Sequence, residues 1–498
     1  MFNNFFENIY KRSLELLEKQ DYYEAIKFLK FLLSNNYRDD DCLFLIGRSY
    51  YNLGNLDLSI QFYKKYIRIN PNNHEVLDTL ARIYAHQKDL KSSKFFIEKA
   101  LKLDPKNAKS IALLGSLYYD LGYVNTNLKD VIKSIELLEK SLLIDSSNPV
   151  AYWSLGLSCS IMGQYQDAEV NFYKALSLAP EFIQAKLDLS LIYLKQGNFK
   201  LGWKNYEIRK EKSKDQHLFI SEKLWNGKKI TSKKNILVYA EQGFGDMIQF
   251  SRYLIFLEEY FYQVIFLLPI DLYELFKSSS KFNIKLIPYK DNREKFLNLP
   301  NFDLYIPLMS LPYLFETTEN SIPCSDSYIT SPPEKNKFWN EKIQKEKFNI
   351  GIVFSGGGKT QTNLTRSLSF KNFSRCLTRF KDIEFHSLQN SYLEEDYNDL
   401  KDFGLVIDHS NFLINFSDTA GLLDKMDLVI SVDTSVAHLA GSMGKKVWIL
   451  IEYLNDFRWL LDRSDSPWYS TAKLYRQKTF GDWTEVLSNI KNDITLNI

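Results

Sequence analysis

A period of 34 residues runs through the first part of this chain. Pro71 and Pro105 stand 34 residues apart, as do Ser146 and Pro180, and each follows the end of an apolar helical pattern. Pro105 and Ser146 are 41 apart, and the excess of 7 fits an insertion near residues 124–130. The positions inside each period agree. Leu43, Ile46, Gly47 and Tyr50 in one unit become Leu77, Leu80, Ala81 and Tyr84 in the next. Ile111, Leu114, Gly115 and Tyr118 follow, then Tyr152, Leu155 and Gly156. Second helices carry small residues beside an aromatic, most clearly Ala168, Phe172 and Ala175. Small residues let two helices approach, large ones fill the seam, and a Pro after the second helix forces the turn.

This is the period and pattern of a tetratricopeptide helix pair. Roughly five units fit between about Tyr10 and Lys212 by that period, the last atypical (GNFKLGWKNYEIRK). The array, set at residues 6–212, makes a concave face suited to a protein partner. A plain structural spacer is the alternative.

Few function classes survive the composition. A formal net charge of +2 argues against a nucleic-acid binder working by bulk electrostatics. Cys42, Cys159, Cys324 and Cys376 are scattered, without C-x-x-C or a nearby His, so they read as reduced thiols and not as a zinc site. The first residues lack the uninterrupted apolar run of a secretory signal, and no run approaches the ~20 residues of a membrane helix. The expectation is a cytoplasmic protein without a transmembrane segment, a peripheral place at the inner face of a membrane being left open.

Residues 213–234 are polar and Lys-rich, and read as a linker that docks through Trp225. The pattern then turns to strand–helix alternation, the sign of a parallel α/β sheet. Strands are expected at 235–240, 263–268, 284–288 and 304–306, with helices at 247–260 and 271–278, in a first domain of residues 235–330. Residues 310–334 read as a connection. A second domain, 348–498, has expected strands at 348–354, 383–388, 405–408, 428–432 and 447–450. Its helices are expected at 369–379, 418–426 and 482–494. The fold class is therefore α + α/β: a helical solenoid followed by two α/β domains.

Three turns at strand ends carry polar chemistry. After the strand at 428–432 come Asp433, Thr434 and Ser435, then a short helix bearing His438. Parallel sheets bind ligands at strand C-termini, and free helix N–H groups beside hydroxyls suit a phosphate. Asp433 as a simple cap and His438 as a packed helix residue are the alternatives. After the first strand comes E-Q-G-F-G-D (241–246). A dinucleotide fingerprint would need Gly where Ile248 stands. What remains is a tight turn in which Gln242, Gly243 and Gly245 let a ligand near the backbone. Asp246 at the helix start is either an N-cap or a general base. After the strand at 348–354, S-G-G-G-K-T resembles the end of a Walker A loop, but its first Gly should fall where Val353 stands. The reading preferred is a phosphate-facing loop using Gly357, Lys359, Thr360, Thr362 and Arg366. A P-loop-like NTPase is kept as an alternative. Arg458, Trp459, Arg463, Trp468 and Arg476 follow the last expected strand and could meet phosphate or base. No metal-ligand spacing occurs.

At Gly243–Asp246, residues 351–367 and residues 431–444 the chain resembles glycosyltransferase family 9, the heptosyltransferase-like enzymes. It is most similar to the bacterial branch with tetratricopeptide repeats in front. Residues 459–463 and 465–469 are similar to that branch's tail. The resemblance implies two Rossmann-like domains of GT-B type and metal-independent, inverting transfer from a nucleotide-diphosphate sugar as co-substrate, with no cofactor. The acceptor would be a glycan, a lipid-linked saccharide or a protein. It implies that Asp246 is the base, that Asp433, Thr434, Ser435 and His438 hold the donor diphosphate, and that Lys359 and Arg366 supply the cation. The triple Gly at 356–358 and the short first sheet depart from the family. A non-catalytic repeat scaffold with a degenerate transferase domain is the alternative.

Overall fold

Apolar faces at helical spacing, closed by polar caps, build the first unit of the protein. The structure, a computed structural model, describes residues 2–212, 221–230, 232–279, 282–291, 295–297, 299–323, 326–357, 365–379 and 381–497. It divides into two compact units, residues 1–182 and 183–498.

In the first unit, helices from Phe2–Glu18 to Tyr165–Leu178 pack in consecutive pairs. Asn55, Asn73, Asp89, Asn107 and Asn148 each accept a backbone N–H of the helix they open. That cap satisfies donors a helix start leaves without partners. A Cβ at Gly47 would stand 2.8 Å from the Tyr63 ring, and one at Gly156 2.7 Å from Phe172. Those glycines set the helix spacing. Ser59 and Ser93, one period apart, donate across the pair to the carbonyls of Gly47 (2.9 Å) and Ala81 (2.7 Å).

The surplus of 7 residues turns out to be helical. The left-handed residue at the tip of each pair is Gln20, Gly54, Lys88, Thr126 and Gly163 in turn. Thr126 lies 38 residues after Lys88 and Gly163 37 after Thr126, so 4 extra residues precede the tip and 3 follow it. Each addition is close to the ~3.6 residues of one helical turn. Helices Ala108–Val124 and Leu128–Ile144 accordingly have 17 residues each, against 13 and 14 in the preceding pair. Adding a whole turn to both arms keeps their apolar faces in phase, which a loop insertion would not need to do.

The second unit holds two all-parallel sheets. The first has strands β1 (Asn235–Tyr239), β2 (Gln263–Pro269), β3 (Lys285–Tyr289) and β4 (Leu304–Pro307), in the order β3-β2-β1-β4. The second has β5 (Phe348–Val353), β6 (Ile383–Ser387), β7 (Val406–Asp408), β8 (Leu428–Val432), β9 (Val447–Ile451) and β10 (Ala472–Arg476). Their order is β10-β9-β8-β5-β6-β7. In both, the first strand lies inside and the chain then reverses direction across it, the order of a doubly wound sheet, whose switch point lies between β5 and β8. Strands β8 and β9 are buried at every position. That is why they read as continuous apolar runs.

Several expected boundaries move. The helix expected at 247–260 stops early: it is Phe244–Phe250, then a 3-10 turn Ser251–Tyr253 and one short turn Leu254–Leu257. Its end carbonyls are taken by side chains. The Tyr328 hydroxyl donates to Ile248 O (3.0 Å), and Arg252 Nε to Gln249 O (2.9 Å). The helix expected at 369–379 is one turn, Phe370–Phe373, and a 3-10 turn. Strand β10 was not anticipated, so Arg476 belongs to a strand and not to a loop. Trp225 docks as expected, 3% exposed, with its backbone N–H on Tyr305 O at 3.0 Å.

The helix pair Ile183–Lys195 and Phe199–Tyr206, read in sequence as the last, atypical repeat, belongs to the second unit. Trp203 explains it. Its ring is 2% exposed and meets Phe250, Phe457 and Trp468 edge-on at 5.8, 5.6 and 6.4 Å. A buried Trp of this size contributes on the order of 3 kcal/mol or more of packing.

Candidate functional site

The turn after β8 opens the helix Ser435–Ser442. Thr434 is its N-cap residue, yet makes no side-chain cap bond. Its hydroxyl faces Ser431 Oγ at 3.2 Å instead. The backbone N–H groups at this helix start therefore receive nothing from the cap side chain. Thr434, Ser435 and Val436 line a cavity of about 260 Å³. Ser355, Gly356 and Gly357 after β5, Gln389, Asn390 and Ser391 after β6, and Asn415 and Thr419 supply its polar lining, beside apolar Phe244, Leu388 and Phe416. It lies off the switch point between β5 and β8, where doubly wound sheets take their ligands.

Gln389 shapes the β5 edge. Its carbonyl oxygen accepts from the N–H groups of Phe354 (2.8 Å) and Ser355 (3.1 Å), and its amide donates to Ser355 Oγ (2.9 Å). Gly356 N–H donates to Ser367 Oγ at 3.0 Å. A Cβ at Gly357 would touch nothing within 4 Å. Asn415 caps the helix Phe416–Leu423, accepting from the N–H groups of Ser417 and Asp418. A second helix start thus borders the same cavity.

The turn after β1 opens the helix Phe244–Phe250. Gly243, not Asp246, is the N-cap, and Asp246 reaches back to it from the third helical position: Gly243 N–H donates to Asp246 Oδ2 at 2.9 Å. The other carboxylate oxygen accepts from Arg458 Nη2. Arg458 also donates to Asp456 (2.6 Å) and, through Nε, to Gln249 Oε1 (2.7 Å). Burial pushes the Asp246 carboxyl above its ordinary value, while the Arg458 charge pulls it back. Its side chain remains 17% exposed.

A larger cavity, about 790 Å³, lies at the C-terminal edge of the first sheet, lined by Glu241, Gln242, Met247, Tyr289 and Lys295 among others. Phe244 and Asp271 line both cavities. The Phe244 ring lies 5.0 Å from Phe416. The two strand-end cavities are therefore neighbours that share Phe244 and Asp271 in their walls.

A charged cluster surrounds the ends of β8 and β9. Burial raises Asp433 to about 6, with Asp456 adding to the rise and Arg366 and Arg458 opposing it. Burial likewise raises Glu452 to about 7, the Asp433 charge adding to it, and lowers Lys195 to about 8. Groups shifted toward neutrality in a cleft mark functional candidates, although structural ion-pair networks shift them too.

The expected residues thus divide. Gln242 and Gly243 line the larger cavity and Gly357, Thr434 and Ser435 the smaller one, while Asp246 lines neither and lies on the helix whose first residue, Phe244, borders both. Lys359, Thr360 and Thr362 lie outside the described residues. Arg366 places its charge close to Asp433 and Glu452. Gly245 serves packing: a Cβ there would stand 2.9 Å from His438 Cδ2. It lets the helix starts after β1 and β8 approach. His438 is 5% exposed, stacks on Trp459 at 5.3 Å and pairs its Nδ1 with Tyr469 Oη at 3.0 Å. Burial holds its imidazole well below the ordinary pKa, hence neutral. It orders the helix beneath the cavity without supplying a cation. Trp459 and Trp468 are fully buried core residues, and Arg463 is ion-paired to Glu319 and Asp465.

Sequence reasoning missed Gln389, Glu452, Lys195 and the Asp246–Arg458 pair. A polar residue just past a buried strand was an available signal for Gln389 and Glu452; none marked Lys195. Among the described residues, no group of three or more His, Cys, Asp or Glu side chains is arranged to hold a metal ion. No helix among them is long and apolar enough to cross a membrane.

The tetratricopeptide repeat model matches residues 40–73, 74–107, 115–148 and 149–182. The gap between the second and third matches, residues 108–114, has the length of the 7-residue surplus described above. Among curated proteins the chain is similar to Protein FlbA of Caulobacter vibrioides, 23% identical over 407 residues, covering 75% of this chain and 66% of FlbA. It therefore spans just under two thirds of that relative, and an alignment of this length extends beyond the repeats into the sheets. Among solved structures it is similar to MamA (25% identity, TM-score 0.29, 35% of this chain and 98% of that one). It is also similar to a thermophilic tetratricopeptide protein of Thermus thermophilus (18% identity, TM-score 0.29, 38% and 99%). The protein is thus built from an array of tetratricopeptide repeats followed by a region of parallel α/β sheets.

Proposed function

We propose that residues 183–498 form a glycosyltransferase of GT-B type, two Rossmann-like halves that move a sugar from a nucleotide-diphosphate donor to an acceptor hydroxyl. The observation that carries this reading is the pair of adjacent strand-end cavities that share Phe244, with Asp246 on the helix that Phe244 opens. The cavity off β5 and β8 suits the donor diphosphate, met by the helix start at Ser435, whose N–H groups take nothing from the cap side chain. The larger one suits an acceptor: a glycan, a lipid-linked saccharide or a protein side chain.

In the reaction, Asp246 removes the proton of the acceptor hydroxyl as its oxygen bonds to the anomeric carbon. The bond from that carbon to the diphosphate oxygen breaks, and its electron pair leaves with the nucleoside diphosphate. N–H groups already aimed at the leaving oxygens stabilise that charge without reorganising. Burial raises the Asp246 carboxyl above its ordinary value, the direction a general base needs, and the Arg458 charge opposes that rise. The repeat array would present its concave face to a protein partner. Replacing Asp246 by Asn should lower transfer by about 100-fold or more while nucleoside diphosphate still binds. Full turnover in that variant would remove the assignment.

One observation favours a second reading, a non-catalytic adaptor: both Asp246 oxygens already have partners, Arg458 and Gly243 N–H. A thermal-shift screen over nucleotides and nucleotide sugars separates the two, since an adaptor shows no shift with any of them.

A further inference from the structure

We propose that the helix pair Ile183–Tyr206, with the turn that follows it, is the third wall of the transfer site, and that Tyr206 and Arg209 are positioning residues for Asp246. This rests on the transferase reading above.

The turn before Asp246 is held from outside its own sheet. Gln242 sits at φ 64°, a left-handed conformation that a non-glycine residue adopts only when its surroundings hold it there. Its amide donates to Tyr206 Oη at 2.7 Å. Glu241, the residue before it, accepts from Arg209 Nη2 at 2.6 Å and from Met309 N–H at 3.1 Å. Arg209 is itself fixed, 7% exposed, on Glu207 (2.6 Å) and Ser310 Oγ (2.9 Å). Both residues that lead into Gly243, whose N–H holds Asp246, are thus anchored to one short stretch of chain.

The same stretch braces the other partner of Asp246. Phe457, next to Arg458, packs against Trp203 at 5.6 Å and Tyr206 at 6.1 Å. Lys195, on the first helix of the pair, lies close to Asp456 and Glu452, and Asp456 is bound to Arg458. One hairpin therefore fixes the backbone before the carboxylate and the loop that carries its guanidinium partner. Ring and hydroxyl act separately in Tyr206: the ring packs and the hydroxyl holds Gln242. A Tyr206→Phe substitution removes only the second.

The full chain and its Tyr206→Phe, Arg209→Met, Arg209→Lys and Asp246→Asn variants are compared with UDP-N-acetylglucosamine, UDP-glucose and GDP-mannose as donors. Tyr206→Phe and Arg209→Met are expected to lower kcat about tenfold, with donor KM within twofold and Tm within a few degrees of the parent. Arg209→Lys, which keeps the charge on Glu241, should recover part of the loss. Turnover at the parental rate in Tyr206→Phe and Arg209→Met, with Asp246→Asn inactive, overturns this inference and leaves the transferase reading standing. Parental turnover in Asp246→Asn removes that reading, and this inference with it. Hydrogen exchange decides if none of these donors is consumed. Peptides covering residues 241–250 should exchange about tenfold faster in both variants while those covering 428–432 do not change; equal protection of 241–250 in parent and variants overturns the proposal.

Discussion

Asn349 decides the protonation of two buried histidines. Its amide nitrogen donates to Gln344 O (2.9 Å) and Lys347 O (3.0 Å), so its oxygen faces His386 Nε2 at 2.8 Å and that nitrogen carries the hydrogen. His386 Nδ1 is then an acceptor, and His409 Nε2, 3.1 Å away, donates to it. Protonating His386 would set two N–H groups against each other in a buried stack. Burial accordingly lowers His386 to about 3 and His409 to about 4. Both are neutral in the folded protein and charged in the unfolded chain below pH ~6.5, so the unfolded state binds more protons and stability falls as pH drops. The contribution is fully present above that value and is lost between about pH 6.5 and 3. Urea unfolding at pH 7.5 and 4.5 should differ by on the order of 2 kcal/mol more in the parent than in a His386→Gln/His409→Gln variant. Equal pH dependence in the two would contradict the assignment.

Two short helices, Phe244–Phe250 and Ser435–Ser442, meet through Gly245. A methyl group at that position would lie 2.9 Å from a His438 ring that Trp459 and Tyr469 hold in place. Since the ring cannot yield, the helices must separate. Gly245→Ala should destabilise the protein by about 1–3 kcal/mol in denaturant unfolding and weaken nucleotide binding with it. A variant as stable as the parent would show that the approach is looser than it looks.

This contact also marks where the sequence stopped being legible. The strands of both sheets and the three polar turns could be read from apolar runs and their punctuation, because buried parallel strands leave a local signature. The G-F-G-D turn was legible as a special backbone, but Gly245 was read as room for a ligand when it is room for a helix. Strand β10 is illegible because Ala472–Arg476 is a short edge segment with two charged residues and neither a continuous apolar run nor a strict alternation. The early stop at Phe250 depends on Tyr328, far along the chain. Arg458 was visible as a cation, while its partner, 212 residues away, was not.

At the scale of the molecule, the repeat period misplaces one boundary. Pattern alone assigns the pair Ile183–Tyr206 to the solenoid, because Gly197 repeats the tip geometry of Gly163 one period later. Packing assigns it to the sheets. A fragment of residues 183–498 should fold with Trp203 shielded from a quencher, whereas one of residues 213–498 should expose Phe250 and Trp468 and aggregate. Equal solubility and stability of the two would contradict the assignment. Residues 1–182, rich in local contacts, should fold alone as a helical unit.

The central claim is a diphosphate site at the switch point between β5 and β8, and Ser435→Glu tests it most directly. A carboxylate at the first position of the helix favours the helix dipole, so folding is preserved, yet it places a negative charge on the cavity wall. Calorimetric titration with UDP, GDP and ADP should show binding of at least one to the parent chain. In Ser435→Glu that affinity should fall at least tenfold with Tm unchanged or higher. No binding to the parent, or equal binding to both chains, would contradict the site.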